Sequence, residues 1–172
     1  MGTAEKTLIV DAPVGDVYQR WTQFDRFPEF MENIKSVTKT ADERRSHWVV
    51  NGPLGTNIEF DADTTTLEEN KRIAWNSRDS GDITTSGQVT FTELGTGQTQ
   101  VHVILKYDPP AGFVGEIVAR LFSNPQAQLD EDMARFSKLV NRTNANPQST
   151  GESSGKGDTV NAPSKHDRED AA

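Results

Sequence analysis

His47, His102 and the carboxylate run Glu59-Phe60-Asp61-Ala62-Asp63 are the groups ahead of the C-terminal tail whose types suit acid–base or metal chemistry. Strand pairing, argued below, sets His47 across from Asp61. A metal held by that pair would need a further ligand from Glu59 or Asp63, one residue pair along. The run lacks the glycine and spacing of a calcium loop. Both histidines fall on the polar side of their strands, so the plainer reading is an exposed cross-strand pair contributing about 0.2–1 kcal/mol. Neither a metal nor a cofactor is expected. A Ser-His-Asp arrangement finds no support, because no histidine reaches the apolar side. "GPLG" and "GTG" read as hairpin turns, not phosphate loops. The polar groups on the apolar side are Tyr107, Ser77 and Thr64, with Glu93 at a strand end. Tyr107 is the one candidate for catalysis. It either donates to a ligand carbonyl or is a tyrosine tethered near the corner Asp108-Pro109-Pro110.

The stretch "YQRWTQFDRFPEF" holds five of the thirteen aromatic residues of the chain: Tyr18, Trp21, Phe24, Phe27 and Phe30. Such rings either fill a core or line a cavity for an apolar ligand. Trp21, Trp48 and Trp75 favour a lining, since tryptophan is bulky and needs a partner for its indole N–H when buried. Met31 and Met133 add an adaptable surface. Arg20, Arg26 and Arg78 are candidates for the rim of a pocket mouth.

These groups sit in a chain of 172 residues, enough for one domain with a sizeable core. The last 30 residues, Thr143–Ala172, contain no aromatic, Leu or Ile and read as a disordered polar tail. That tail carries three basic and five acidic groups, which leaves −6 of the net −8 on residues 1–142. A body of that charge argues against nucleic acid and against docking on anionic membrane through a basic patch. The absence of cysteine excludes disulfides, thiol catalysis and zinc–thiolate sites. No apolar run is long enough to insert stably in a membrane, and "MGTAEKTLIV" lacks a signal-peptide block, so a cytoplasmic protein is the simplest inference. A protein partner is not specified by these residues, and an adaptor acting through its surface with the tail as tether is a third class of reading.

The elements follow from period and punctuation. "EKTLIVDA" reads as a first strand. Asp11 is placed to cap a helix in which Val14, Val17, Tyr18 and Trp21 share one face. A turn over Gln23–Arg26 and a second short helix near Pro28 let the rings converge. Period two then predicts six strands: Ile34–Thr40, Arg44–Asn51, Thr56–Thr66, Arg72–Ser77, Ser86–Glu93 and Thr99–Tyr107. The hairpin loops set Trp48 opposite Phe60, Val50 opposite Ile58, Phe91 opposite Val101 and Val89 opposite Val103, keeping apolar residues on one face. Val114, Ile117, Val118, Leu121 and Phe122 form a helical stripe. After a break at Ser123–Pro125, Leu129, Met133, Phe136 and Val140 continue it. Asp130, Glu131 and Asp132 fall largely outside it. The sum is an α+β domain, a seven-stranded antiparallel sheet around a long C-terminal helix.

The order of elements, with "DAPVGDVYQRWTQFDRFPEFM", "SHWVVNGPLGTNIEFDA", "RIAWNS" and "YDPPAG", resembles the helix-grip fold of the START-like (SRPBCC) superfamily. Within it the chain is similar to the bacterial polyketide cyclase/dehydrase and coenzyme Q-binding group, over roughly Glu5 to Arg142. The resemblance implies a cavity between sheet and long helix for a lipid, quinone or polyketide-like molecule. Its expected wall is Trp21, Phe27, Phe30, Trp48, Phe60, Trp75, Phe91, Tyr107, Phe122, Met133 and Phe136, with the break at Ser123–Pro125 as a gate. A carrier or sensor is the first expectation. A polyketide cyclase, aromatase or dehydratase using the same cavity, with Tyr107 assisting, is the second.

Overall fold

Alternating apolar and polar side chains dictate strands with one dry face, and the computed structural model, which describes residues 2–95, 97–108 and 124–145, joins seven of them into one sheet. They are β1 (Gly2–Val10), β2 (Ile34–Lys39), β3 (Arg45–Asn51), β4 (Asn57–Glu68), β5 (Arg72–Ser77), β6 (Thr84–Leu94) and β7 (Gln98–Asp108). The spatial order is β1-β7-β6-β5-β4-β3-β2, with every pairing antiparallel. The four expected cross-strand pairs all occur: Trp48 with Phe60, Val50 with Ile58, Phe91 with Val101, and Val89 with Val103. Bulges between Thr64 and Thr66 and between Ile34 and Ser36 shift the ladder, and such irregularities bend and twist a sheet. The β3–β4 loop centres on exposed Leu54, held at a left-handed φ of 52°.

Between β1 and β2 lie α1 (Val14–Thr22) and a 3-10 turn over Phe24–Glu29. Two local expectations change here. Asp11 is not the cap: the helix starts after Pro13 with no side-chain cap, and the Asp11 carboxylate instead accepts from Gln98 Nε2 at 2.6 Å. Pro28 lies inside the 3-10 turn instead of opening a new helix, and the turn takes up most of the segment expected to be loop. The tighter winding suits a proline, whose missing N–H would break a continuous α-helix.

The second α-helix, α2 (Pro125–Ala145), begins where the sequence placed the break. Proline at the first helical position sacrifices a donor that has no intrahelical partner anyway. Asn124 caps the end, its Oδ1 accepting from Ala127 N–H at 3.1 Å. The helix runs past Arg142 to Ala145, and Thr143 Oγ1 accepts from Arg20 Nη2 at 2.8 Å. The expected first half of the helix, Val114–Phe122, and the tail beyond residue 145 lie outside the described residues.

The core sits between the concave sheet face, α1 and α2. Trp21, Phe27, Phe136, Met133 and Ile73 are fully buried. Trp21 meets Phe27, Phe30 and Phe136 at ring separations of 5.4, 5.6 and 5.3 Å. Gly87 belongs to the same packing: a Cβ there would lie 2.1 Å from Trp75 Cζ2, so the bare backbone gives the indole its place.

Candidate functional site

A recess of about 190 Å³ opens between the sheet and the start of α2. Ala4, Thr85, Leu105 and Tyr107 form its sheet wall; Pro125, Gln128, Leu129 and Asp132 form the helix wall; Asn33 closes one side. Two clamps set the distance between those walls. On the β1 side, Gln126 Nε2 donates to Glu5 O at 2.7 Å and Gln126 Oε1 accepts from Glu5 N–H at 3.0 Å, with Lys6 Nζ 3.2 Å from Asp130 Oδ1. On the other, Arg135 Nε donates to Phe30 O at 3.0 Å and Glu32 N–H donates to Asp132 Oδ1 at 3.3 Å.

Tyr107 closes the sheet wall. Its ring lies over Gly2, its partner in the β1–β7 ladder, where an added Cβ would fall 2.2 Å from Tyr107 Cζ. The other expected wall residues are placed differently. Trp21, Phe27, Phe30, Trp48, Phe60, Trp75, Phe91, Met133 and Phe136 are buried and pack on one another or on the sheet, and none of them lines the recess. Trp48 and Phe60 stack at 5.8 Å with planes 10° apart, and Trp48 Nε1 donates to Ser46 Oγ at 2.8 Å. Trp21 Nε1 is buried with no hydrogen-bond partner among the described residues. Phe122 lies outside them.

Asp132 corrects an expectation. Its grouping with Asp130 and Glu131 set it outside the apolar stripe, yet only 8% of it is exposed and it lines the recess. Helical spacing carried the signal, since position 132 is three residues from Leu129 and four from Phe136 and so shares their face. Oδ1 takes three donors: Glu32 N–H, Gln128 Nε2 at 3.1 Å, and Arg135 Nη2. Burial pushes the carboxyl above its ordinary value, and the bonds from Arg135 and Gln128 partly oppose that shift.

The remaining candidates lie on the outer face. His47 Nδ1 is 2.8 Å from Asp61 Oδ1 and its Nε2 is 3.4 Å from Glu59 Oε2, all three side chains well exposed. His102 Nε2 meets Glu5 Oε1 at 2.6 Å. Among the described residues no group of three or more His, Cys, Asp or Glu is arranged to hold a metal. Arg26 and Arg78 pair with Glu29 and Asp63, and neither arginine nor Arg20 rims the recess.

Residues 10–134 match the family described as polyketide cyclase / dehydrase and lipid transport. The chain belongs to that family. A 17.2 kDa Streptomyces lincolnensis protein, encoded between melC2 and rnhH, is a relative 31% identical over 140 residues, covering 81% of this chain and 90% of that one. A Deinococcus radiodurans crystal structure shares 29% identity, covers 83% of this chain and 98% of its own, and superposes with a TM-score of 0.67. A START superfamily protein from Mycobacterium smegmatis, 19% identical over 80% of this chain and 98% of its own, has a TM-score of 0.61. This polyketide cyclase/dehydrase relative therefore has the START-like helix-grip fold, with its recess at the junction of sheet and C-terminal helix. No helix among the described residues is long and apolar enough to cross a membrane.

Proposed function

We propose that the protein binds a hydrophobic small molecule, a lipid, quinone or polyketide-like compound, in the recess under α2 and serves as a cytoplasmic carrier or sensor. The observation that carries this reading is the recess itself, an opening with Leu105 and Leu129 on its walls beside a core rich in packed rings. Burying apolar surface there contributes about 25 cal/mol per Å². At about 190 Å³ the opening is smaller than the roughly 300–1,000 Å³ of drug-sized sites. In this reading a larger guest gains room by displacing α2, and it then meets Met133, Phe136 and the rings behind them.

The test is extraction of protein purified natively from its host, with the extract read by mass spectrometry. A stoichiometric apolar compound is expected, and a Leu105→Trp variant, whose indole fills the recess, should carry much less. Folded protein that is empty in every preparation would count against binding.

A second reading has one observation in its favour. Tyr107 and Asp132 line the same recess, giving a phenol and a buried carboxyl for proton transfer to a folded polyketide-like chain. Turnover of such a substrate that is lost in Asp132→Asn and Tyr107→Phe would support it; turnover unchanged in both would exclude it.

A further inference from the structure

The helix wall of the recess is chemically one-sided. All three hydrogen bonds to Asp132 converge on Oδ1, and Oδ2 has no partner among the described residues. One turn earlier Gln128 directs its Nε2 at that same Oδ1, since a carboxylate only accepts; the amide oxygen of Gln128 is likewise without a partner among the described residues. Two acceptors without a partner among the described residues, a carboxylate oxygen and an amide oxygen, therefore belong to neighbours at i and i+4 that line the recess together with Leu105, Leu129 and Pro125. The charge of Asp132 is already matched by Arg135, whose Nη2 also lies 3.7 Å from Glu32 Oε2.

We infer that the natural guest is a neutral molecule with a hydroxyl group on a compact apolar body, and that the hydroxyl donates to Asp132 Oδ2 with Gln128 Oε1 as its neighbour. The inference rests on the binding reading above and adds the guest's chemical class. A hydroxyl supplies the donor that Asp132 Oδ2 lacks, and an acceptor that gives up water when a guest enters favours a guest that replaces that hydrogen bond. A carboxylate guest brings a second negative charge beside Asp132 into a body of net charge −6 and is rejected. A plain hydrocarbon fits the walls but leaves both acceptors unmet. With α2 in place, the volume of about 190 Å³ admits an apolar body of one or two fused rings.

Calorimetric titration at pH 7 with 2-naphthol, naphthalene and 2-naphthoate tests this, with methyl chemical shifts of Leu105 and Leu129 reporting the place of binding. The expected order is 2-naphthol at least tenfold tighter than naphthalene, with 2-naphthoate not bound. In Asp132→Asn the amide oxygen retains the three donors and the amide nitrogen faces the guest. Preference should then pass from 2-naphthol to the ketone 2-acetonaphthone. Equal affinity of wild type for 2-naphthol and naphthalene would overturn the inference and leave the binding reading standing. Failure of all these probes to bind would also overturn the inference, and the native extract would then decide the binding reading by itself. The wild-type series decides the matter even if the variant does not fold.

Discussion

The side chain of Gln126 behaves as one more residue of strand alongside Glu5, accepting from its N–H at 3.0 Å and donating to its carbonyl at 2.7 Å. β1 is an edge strand, and an unpaired edge is a template for association. The glutamine therefore covers one step of that edge and anchors the first turn of α2. We expect Gln126→Ala to lower stability by about 1–2 kcal/mol, the net loss of two partly exposed hydrogen bonds, and to raise self-association. Urea denaturation and light scattering check the two effects. A Gln126→Glu variant should not rescue, because a carboxylate cannot donate to Glu5 O.

Gly87 and Trp75 make a second prediction. They are direct partners across β5 and β6, and the indole occupies the space that a side chain at 87 would need. Gly87→Ala should cost about 1–3 kcal/mol through overpacking and change the near-ultraviolet dichroism. Gly95→Ala, where nothing lies within 4 Å of an added Cβ, should stay near wild type. Equal losses at the two positions would mean that backbone freedom, not the tryptophan, governs the effect.

The depth of the ring cluster sets a third expectation. Phe136 is fully buried, 5.0 Å from Phe30 and 5.3 Å from Trp21. Phe136→Ala should cost about 3–5 kcal/mol in urea denaturation, the range for emptying a packed aromatic site. A loss below about 1 kcal/mol would show that the rings enclose usable space already.

Residues of strict period were readable from the sequence, and residues whose role depends on a neighbour were not. The pairing of Trp48 with Phe60 and of His47 with Asp61 followed from hairpin length, because a slip of one residue would turn every apolar side chain to solvent. The break at Ser123–Pro125 was legible because proline lacks an N–H, and α2 begins at it; the cap from Asn124 appears only in the structure. The recess was harder. An aromatic ring carries no sign of whether another ring or a vacancy faces it, so Trp21 and Phe136 read as wall or as core. Asp132 was assigned by its charge and its acidic neighbours, although the 3.6-residue period already set it on the face of Leu129 and Phe136. Its burial is made tolerable by Arg135 and by the Glu32 N–H, a contact across the fold that no local pattern announces.

The same carboxyl yields a prediction about pH. Burial raises the Asp132 pKa above its ordinary value near 3.8, so the native state binds this proton more tightly than the unfolded chain does. Between the ordinary and the raised value the folded state carries more protons, and stability then falls as pH rises. The contribution of Asp132 is therefore most favourable below about pH 4 and is lost as pH climbs through the raised value. Arg135, Gln128 and the Glu32 N–H face the group and remain in Asp132→Asn, and Glu32 titrates in both proteins, so the difference between them isolates Asp132. Urea midpoints measured from pH 4 to pH 8 should show the stability advantage of wild type over Asp132→Asn shrinking with rising pH. An advantage that grows with pH would mean that Arg135 outweighs burial and that the carboxyl is held below its ordinary value.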